Sequence, residues 1–485
     1  MKKTDHFLDR FFNPGSVAIV GATNNPFKMN YRLIHNLLTL GFHGKIYPVN
    51  SRESEIQGIK AFGSLRDIPD KIDLVVTAVP AAKTLEVAKD CDSIGVKNLV
   101  IVTGGFSEGG DEGKKLQEEI ASFVRQAGIR TLGPNTLSPI NTANNMVISY
   151  NPVKKLKRGG LSFAFQSGFY EPKLNWLFSH LGINKMLDMG NKIDINEIDA
   201  LEYFSLDHDT RVIAIHMESL HGDGRDFYRL LKSVCKEKPT IILKSGRTQA
   251  GSRAAASHTG SMASENDLIF DSVIRQAGAI RAQNLDDFFD LAKAFEFLEI
   301  PPGNRVAIIT LSGGEGVMAV DACEKNGMKL ARVGNKTYQE LKRIFPPWEI
   351  PLNPLDAGVC MEFHLSDMSA FFKALSAISE DENVDCIIMQ MPPNPIYFMS
   401  SGRSLSEEMV CSFKEQYVRA LLSLKKAEKP FVMWRSMMDI QEMEFIELVE
   451  SHSLPVFESS ERAIKALAEL WRYGVRSFKL TNGGV

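Results

Sequence analysis

Three segments of the sequence share one pattern, an apolar stretch of strand type followed by a turn of small residues and then a helical pattern. They begin at Val17, Leu161 and Val306, so their starts lie 144 and 145 residues apart. Within each unit, further short apolar runs alternate with helical patterns, which is typical of parallel sheets covered by helices on both faces. A chain of 485 residues exceeds one hydrophobic core. The sequence therefore predicts an α/β fold with three doubly wound domains.

Composition excludes several classes of protein. The chain is 44% hydrophobic and 24% charged, as soluble globular proteins are, and its formal charge of −3 gives no basic surface for nucleic acid. Apolar runs fall short of the roughly 20 residues that span a membrane, and the first residues lack a signal-peptide core. The six cysteines form no Cys-x-x-Cys pair, so neither a metal site nor a disulfide framework is expected in this chain. We expect a reduced, cytoplasmic protein.

The first unit has the strand–turn–helix start of a nucleotide-binding domain. Its turn, Gly21-Ala-Thr-Asn-Asn-Pro26, lacks the second and third glycines of the dinucleotide pattern G-x-G-x-x-G. The second strand is followed by Arg52, where an NAD site would place an acid, and arginine favours a phosphate there. A phosphorylated adenine nucleotide other than NAD fits this pattern, and coenzyme A is one. The alternative is a nucleotide-type fold that binds nothing.

Ligands of open α/β sheets bind at the carboxyl ends of the strands. This rule selects ten residues of the first unit as the candidate coenzyme A site. They are Gly21, Ala22, Thr23, Asn50, Arg52, Val79, Pro80, Thr103, Gly104 and Asn135.

One histidine stands out in the second unit. His258 lies within a run of Gly, Ala, Ser and Thr that extends from Gly246 to Ser261, after an apolar segment and before a helical pattern over Asn266–Ala277. Small residues cannot hold a loop by packing, and a helix N-terminus attracts phosphate through its free N–H groups. These features indicate a histidine that carries a phosphoryl group. The alternative is a surface loop that happens to contain a histidine.

A carboxylate is expected beside this histidine. Glu218 follows the apolar strand Val212–Met217, and the histidine segment follows the apolar run Thr240–Leu243. Glu218 and His258 can therefore converge on one sheet edge. A carboxylate that accepts the Nδ1–H bond leaves Nε2 nucleophilic and stabilises the charge after phosphoryl transfer. The alternative for Glu218 is an ordinary solvated carboxylate.

A phosphate site is expected nearby. Gln166, Ser167 and Gly168 lie where another strand meets another helix. Thr259 and Gly260 follow the histidine directly. The helices that follow Ser167 and Thr259 could hold one phosphate between their N-termini.

Four sequence blocks make the chain recognisable. They are Gly133-Pro-Asn-Thr136, Gly190-Asn-Lys-Ile-Asp194, Ala255-Ala-Ser-His-Thr-Gly-Ser261 and Asn353-Pro-Leu-Asp356. With them the chain resembles the α subunit of NDP-forming acyl-CoA synthetases of the ADP-forming acetyl-CoA synthetase type, distantly related to succinyl-CoA synthetase. The resemblance extends from Asn13 to Leu467.

The resemblance implies a Rossmann-like CoA-binding domain over residues 1–148, a flavodoxin-like ligase domain with the phosphohistidine loop over 149–300, and a second flavodoxin-like domain over 301–485. It implies reversible conversion of acyl-CoA, ADP and phosphate to acid, CoA and ATP. His258 matches the histidine that is phosphorylated, and Glu218 matches the glutamate that steadies it.

A partner subunit is also implied. The sequence has no G-x-x-x-x-G-K-[ST] motif, and the ATP-grasp domains of the family have no counterpart in it. By the resemblance, ADP or ATP and Mg²⁺ bind a separate ATP-grasp β subunit in a hetero-oligomer such as α2β2, and coenzyme A is a substrate of this chain. We expect the chain alone to perform at most the half-reaction that phosphorylates His258.

Some positions depart from the family pattern. Relatives have Ser-Gln-Ser-Gly-Ala where this chain has Phe165-Gln-Ser-Gly-Phe-Tyr-Glu-Pro172, which puts bulky Phe169 and Tyr170 beside the predicted phosphate. Glu171 would compete with phosphate for the helix end. Asn30 replaces a glycine, and Ser51 replaces a proline beside the CoA phosphate.

These departures keep a rival hypothesis open, a CoA- or acyl-CoA-binding module of synthetase type that has lost turnover. Two further alternatives have less support. A serine hydrolase built on Ser167 would need G-x-S-x-G, but Phe165 and Phe169 occupy both glycine positions. A dehydrogenase is disfavoured by the turn after Gly21 and by Arg52.

The third unit gives weaker signals. Ser312-Gly-Gly-Glu-Gly316 could hold an anion, but a tight strand-to-helix turn requires the same glycines, and we favour the structural interpretation. By resemblance alone, the Asn353–Asp356 block lines the interface with the partner.

Overall fold

The computed structural model describes residues 5–251, 253, 267–364, 368–391, 407–425, 429–435 and 440–482. It divides into two compact units, residues 1–288 and 289–485. The first unit contains two large sheets and the second contains one.

The first sheet has five parallel strands in the order β2-β1-β5-β6-β7, and a small antiparallel pair, β3 and β4, lies outside it. The strands are β1 (Ser16–Val20), β2 (Lys45–Val49), β3 (Glu55–Ile56), β4 (Ile59–Lys60), β5 (Leu74–Thr77), β6 (Asn98–Ile101) and β7 (Arg130–Leu132). Leu74, Val75 and Val76 are all fully buried. Both faces of this sheet are therefore covered, as the continuous apolar runs predicted.

Four helices belong to this part of the chain. They are α1 (Asp9–Phe12), α2 (Tyr31–Thr39), α3 (Ala81–Ser93) and α4 (Asp111–Ala127), with short 3-10 helices at Leu65–Asp67 and Ser107–Gly109. Helix α4 begins with two acids, Asp111 and Glu112, which suit the positive end of the helix dipole. It ends at Gly128, whose φ of 63° is the left-handed cap that glycine provides most easily.

The second sheet has seven strands in the order β14-β13-β12-β10-β11-β8-β9, of which β10 to β14 are parallel. The strands are β8 (Ile140–Asn141), β9 (Met146–Val147), β10 (Arg158–Phe165), β11 (Ile183–Asp188), β12 (Val212–Met217), β13 (Thr240–Lys244) and β14 (Ile280–Arg281). The hairpin β8–β9 joins the sheet by antiparallel pairing with β11.

Most of the helices around the second sheet lie between its strands in sequence, and the last one follows β14 and continues past residue 288 into the second compact unit. They are a 3-10 helix (Gly168–Lys173), α5 (Leu174–His180), α6 (Glu197–Leu206), α7 (Gly224–Val234), α8 (Asp267–Ala277) and α9 (Leu285–Phe297). Helix α6 starts with a capping box, in which the Asn196 and Asp199 side chains satisfy backbone N–H groups that the helix leaves free.

The third sheet lies in the second unit and has six strands. Its main order is β16-β15-β18-β19-β20, and β17 also pairs with β15. The strands are β15 (Arg305–Thr310), β16 (Lys329–Leu330), β17 (Leu355–Asp356), β18 (Cys386–Gln390), β19 (Phe431–Trp434) and β20 (Val456–Phe457). The helices are α10 (Gly313–Lys325), α11 (Asn335–Leu341), a 3-10 helix (Lys342–Ile344), α12 (Ala357–His364), α13 (Met368–Glu380), α14 (Glu407–Leu424), α15 (Ile440–Ser451) and α16 (Ser460–Asn482).

The parallel strands of all three sheets follow the same order. Numbered along the chain within each sheet, with the two-residue strand β17 left out, they read 2-1-3-4-5, which is the doubly wound order of flavodoxin-like folds. The predicted fold class is therefore confirmed. In such a sheet the first and third strands are neighbours whose connections leave toward opposite faces, and the crevice at their carboxyl ends is the usual ligand site.

The division into residues 1–148, 149–300 and 301–485 stays a prediction. The β8–β9 hairpin precedes the first of these limits, although its hydrogen bonds place it in the second sheet. All six cysteines are free thiols, and five of them are buried. Within the described part of the chain, none of the helices has the length and apolar character needed to cross a membrane.

Candidate active site

The switch point of the second sheet brings two predicted site residues together. Strands β10 and β12 are neighbours there, and Gln166 and Glu218 follow their last residues. The buried Gln166 amide oxygen accepts hydrogen bonds from the backbone N–H groups of Glu218, at 2.9 Å, and Ser219, at 3.3 Å. The turn that carries the half-buried Glu218 is thus tied to the end of the neighbouring strand.

A buried lysine that the sequence analysis overlooked lies at the same point. The Lys192 ammonium group donates to Gln166 Oε1 at 2.9 Å and to the carbonyl oxygen of Ser219 at 2.7 Å. It also lies 3.2 Å from Glu197 Oε2. Lys192 belongs to the block Gly190–Asp194, so the resemblance pointed to this segment but gave no role to the lysine side chain.

The chain that leads to His258 leaves the sheet beside Glu218. Strand β13 is the neighbour of β12, Met217 is in register with Lys244, and Ser245 N donates to the Met217 carbonyl at 3.0 Å. This places Ser245, which we call the root of the segment that carries His258, at the sheet edge where Glu218 lies. His258, Thr259 and Gly260 themselves lie outside the described residues.

Residues on both sides of this segment are joined. Arg247 Nε lies 2.9 Å from Asp267 Oδ2, and Arg281 donates to the other carboxylate oxygen of Asp267 at 2.8 Å. Asp267 is the first residue of α8. The two ends of the segment are therefore held near each other by one carboxylate between two guanidinium groups.

A second histidine lies at this edge. His216 is buried at the end of β12, and its Nε2 is 2.7 Å from Ser245 Oγ. Burial lowers the pKa of His216 to about 4, so its imidazole is neutral near pH 7. It packs against the Tyr170 ring at 5.7 Å between ring centres.

Of the predicted phosphate residues, Ser167 precedes a 3-10 helix, Gly168–Lys173, and Gly168 is the first residue of this helix, at a place where the sequence predicts a helix. Pro172 lies inside this helix and has no N–H to donate to an earlier carbonyl, so the regular hydrogen bonds of a helix are interrupted there. Ser167 is half-buried and Gly168 is exposed. The phosphate-binding role of Gln166, Ser167 and Gly168 stays a prediction.

The prediction that Glu171 competes with phosphate for the helix end is wrong. The Glu171 carboxylate is buried and accepts hydrogen bonds from Ser149 Oγ at 2.9 Å and from the backbone N–H of Tyr150 at 2.7 Å. Burial raises the pKa of Glu171, although these bonds oppose the rise. Tyr170 also turns inward, and its ring stacks on Phe165 at 4.3 Å. Both side chains therefore lie in the interior of the protein.

All ten residues predicted for coenzyme A lie on one edge of the first sheet. They follow β1 (Gly21, Ala22, Thr23), β2 (Asn50, Arg52), β5 (Val79, Pro80), β6 (Thr103, Gly104) and β7 (Asn135). Gly21 has a φ of 86°, and a Cβ there would lie 3.1 Å from the Ala78 backbone. This is the close approach that a glycine at the switch point permits. The binding role of the ten residues stays a prediction.

Hydrogen bonds connect these strand ends. Asn50 Nδ2 donates to the Ala22 carbonyl at 2.8 Å. Thr103 Oγ1 donates to the Val79 carbonyl at 2.8 Å, and Asn135 N donates to the Thr103 carbonyl at 3.0 Å. The edge is therefore a connected surface, and the exposed Arg52 lies at its rim.

The loop after β6 connects this edge to the second sheet. Glu108 accepts hydrogen bonds from the N–H groups of Gly105, at 2.7 Å, and Phe106, at 3.2 Å. Its other oxygen accepts from Asn191 Nδ2 at 2.7 Å. Partial burial alone would raise the pKa of Glu108, but the hydrogen bonds outweigh the effect of burial, so the pKa of Glu108 is lowered.

Two of the recognisable blocks form one structure at this junction. Asn191 N donates to the Pro134 carbonyl at 2.9 Å, and Ile193 N donates to the Gly133 carbonyl at 3.2 Å. The buried Asp188 accepts from Leu137 N and Gly190 N. Burial raises the pKa of Asp188 to about 7. The nucleotide-type edge of the first sheet is thereby fixed beside the carboxyl ends of the second.

In the compact unit of residues 289–485, the turn at Ser312 has a structural explanation. Ser312 Oγ accepts from Glu315 N and caps α10, and Gln390 Oε1 accepts from Leu311 N at 2.7 Å. Asn353 bonds to the backbone of Ile308, Val306 and Ala331. The proposed interface role of the Asn353–Asp356 block stays a prediction.

No group of three or more His, Cys, Asp or Glu side chains that could hold a metal ion occurs in the described part of the chain.

Comparisons with known proteins give matches along most of the chain. Residues 15–141 match the family model for a CoA binding domain, and residues 158–295 match that for a succinyl-CoA ligase like flavodoxin domain. The chain is 33% identical over 480 residues to the α subunit of the ADP-forming acetate–CoA ligase II of Pyrococcus furiosus, and 99% of each chain is covered. It is 34% identical over 473 residues to the ADP-forming acetate–CoA ligase II of Archaeoglobus fulgidus, a longer chain of which 67% is covered.

Among solved structures, the dinucleotide forming acetyl-coenzyme A synthetase 1 of Ca. Korarchaeum cryptofilum, in complex with phosphate and ADP, has a TM-score of 0.83. That chain is 30% identical, and the match covers 99% of both chains.

Proposed function

The chain belongs to the α-subunit family of the ADP-forming acetate–CoA ligases, which are acid–thiol ligases, and we propose that it carries the CoA and phosphohistidine chemistry of such an enzyme. The reaction is the reversible conversion of acyl-CoA, ADP and phosphate to a carboxylic acid, CoA and ATP. The alternative of a binding module without turnover is not favoured, since the relatives that match along the whole chain are ligases.

One observation carries this proposal. Glu218 and the root of the His258 segment lie on adjacent strand ends, β12 and β13, next to the switch point of the second sheet. Paired strands lie about 5 Å apart, so a segment that starts there can return its imidazole to the carboxylate. The hydrogen bond between Asn191 and Pro134 connects the second sheet to the sheet edge where the ten candidate CoA residues lie, which supports the proposal.

In the first step, acyl-CoA lies at the edge formed by the ten residues of the first sheet. A phosphate oxygen attacks the thioester carbonyl carbon, and the carbon–sulfur bond breaks. The sulfur leaves as the CoA thiolate and is protonated, and acyl phosphate remains. Gln166, Ser167 and Gly168, together with Thr259 and Gly260, are the residues expected to hold the phosphate.

In the second step, Nε2 of His258 attacks the phosphorus of acyl phosphate. The bond between phosphorus and the acyl oxygen breaks, and the carboxylic acid leaves as its anion. Glu218 accepts the Nδ1–H bond, which keeps Nε2 free of its proton before attack and balances the positive charge of the phosphorylated ring afterwards.

In the third step, an oxygen of the ADP β-phosphate attacks phosphohistidine, and the nitrogen–phosphorus bond breaks to give ATP. The relatives named as α subunits imply a partner subunit. We propose that this partner is an ATP-grasp β subunit in an α2β2 assembly, and that it binds ADP and the Mg²⁺ that neutralises phosphate charge.

Labelling of the protein tests the proposal. The purified chain is incubated with acetyl-CoA and ³²P-phosphate, and the expected product is an acid-labile phosphoprotein. His258→Ala should abolish the label, while His43→Ala, which alters an exposed histidine of the first sheet's domain, should keep it. An unlabelled wild-type chain, or label that survives in His258→Ala, would contradict the proposal.

A further inference from the structure

A buried charge at the switch point of the second sheet has no role in the chemistry described above. The side chains of Lys192 and Glu197 are 3% and 0% exposed, and Nζ lies 3.2 Å from Glu197 Oε2. Lys192 also has a φ of 54°, in the left-handed region that non-glycine residues seldom adopt. Such a backbone persists where the surrounding contacts determine it, and it is most common at functional sites.

The contacts of Lys192 converge on the turn after β12. Gln166 Oε1 accepts from three donors, which are Lys192 Nζ and the backbone N–H groups of Glu218 and Ser219. Lys192 Nζ also donates to the Ser219 carbonyl oxygen at 2.7 Å. The ammonium group therefore holds both the oxygen that binds the turn and the turn itself.

Glu197 completes this arrangement from the other side. Its carboxylate, paired with Lys192, accepts the backbone N–H of His221. The turn from Glu218 to His221 is thus held at both ends. The Gln166 amide holds Glu218 and Ser219, and the Lys192–Glu197 ion pair holds Ser219 and His221. Buried networks of this kind, when their members are satisfied, hold a single conformation.

We propose that Lys192 is a positioning residue for Glu218. Through Gln166 and the Ser219 carbonyl, it fixes the turn in the conformation that presents the Glu218 carboxylate to the phosphoryl-carrying histidine. The inference rests on the proposed function, because it assigns Lys192 a part in that same site. Lys192 touches neither substrate nor the reacting atoms in this role, so its effect passes through Glu218.

A second buried lysine offers a matched control. The Lys185 ammonium group is fully buried and lies 2.8 Å from Asp207 Oδ2. Lys185 is near the start of β11, opposite Ser162 of β10, whereas the switch-point crevice lies beyond the ends of these strands. Loss of either lysine leaves a buried carboxylate without its ion-pair partner and lowers stability, but only Lys192 borders the Glu218 turn.

The test compares Lys192→Met, Lys192→Arg and Lys185→Met in the full chain with its partner subunit. The initial rate of phosphohistidine formation from acetyl-CoA and ³²P-phosphate is measured, together with the Kd for CoA and the Tm. We expect Lys192→Met to slow labelling about 100-fold, the size of effect that a displacement of about 1 Å produces, with the Kd for CoA unchanged. Lys192→Arg should restore part of the rate, and Lys185→Met should lower the Tm without slowing labelling.

Coupling to Glu218 separates positioning from a merely structural role. If Lys192 acts through Glu218, the double variant Lys192→Met/Glu218→Gln should label no more slowly than Glu218→Gln alone. Gln166→Leu is the second variant in case Lys192→Met does not fold, because it removes the shared oxygen and leaves Lys192 paired with Glu197. It should slow labelling to a similar extent and show the same coupling.

The possible outcomes are distinguishable. A folded Lys192→Met or Gln166→Leu protein that labels at the wild-type rate, or losses that multiply in the double variant, would overturn the role of Lys192 and leave the proposed function standing. A wild-type chain that takes no label would overturn the proposed function and this inference with it.

Discussion

The backbone N–H of Asn191 donates to the Pro134 carbonyl oxygen across 2.9 Å. This bond joins two blocks that lie more than fifty residues apart in sequence, and it sets the carboxyl edge of the first sheet beside that of the second. In the reaction proposed above, acyl transfer from CoA to phosphate needs both edges at once, so this junction should matter for the reaction.

Gly190 tests the junction. Its φ is 54°, and a Cβ there would lie 2.2 Å from the Pro134 carbonyl oxygen. Gly190→Ala should therefore lower the free energy of unfolding by about 1–3 kcal/mol more than a left-handed backbone alone explains, as chemical denaturation will show. Gly41→Ala is the control, since Gly41 has a φ of 73° and nothing within 4 Å of the added Cβ. Equal losses in the two variants would mean that the junction tolerates the extra atom.

Glu218→Gln tests the carboxylate beside the histidine segment. The amide is the same size but has no charge, so it cannot balance a phosphorylated imidazole. We expect the rate of phosphohistidine formation to fall about 100- to 10,000-fold, as when a general acid or base is removed, with an unchanged Tm. Glu237→Gln, at an exposed position after α7, should label normally. A Glu218→Gln protein with wild-type labelling would exclude this carboxylate from the chemistry.

Arg52 tests the CoA edge. It is exposed just beyond the carboxyl end of β2, where a phosphate of CoA is expected. Arg52→Ala should raise the Kd for CoA about 10- to 100-fold, the range for one lost charged hydrogen bond, without affecting the Tm. Lys45→Ala is the control by calorimetric titration, because Lys45 is exposed at the other end of the same strand and pairs with Asp70. If both variants bind CoA equally well, the phosphates lie elsewhere.

Asp188 predicts a pH dependence of stability. Burial raises the pKa of Asp188 to about 7, from 3.8 for a free carboxyl group, even though two backbone N–H groups oppose the rise. A pKa that is higher in the folded state means that the stabilising effect of the protonated form is complete below pH 4 and is lost as the pH rises to about 7. The loss is on the order of 4 kcal/mol.

Asp188→Asn should remove the part of this dependence that Asp188 contributes, so that the free energy of unfolding falls less between pH 4 and 7 than in the wild type. Urea denaturation across this range is the measurement. Glu171→Gln should remove a further part, since burial also raises the pKa of Glu171. An unaltered slope in Asp188→Asn would show that folding does not raise the pKa of this carboxyl group.

Much of the fold was predictable because it is local in sequence. The apolar runs at Val17, Leu161 and Val306 form β1, β10 and β15, each followed by its turn and a helix. Glu218 and the ten candidate residues of the first sheet could be placed at strand ends for the same reason. The segment around His258 was recognisable from its small residues and from the block Ala255–Ser261 that it contains.

What the sequence by itself determined, then, is the alternation of strands and helices, the family, and the residue types available at the strand ends. The tertiary structure decided which strand ends are neighbours, because the order 2-1-3-4-5 depends on contacts far apart in the chain. It alone placed Lys192 against Gln166 and the turn of Glu218, and it turned Glu171 inward toward Ser149. Buried polar groups must find partners wherever the fold provides them, and no local pattern of residues shows where those partners are.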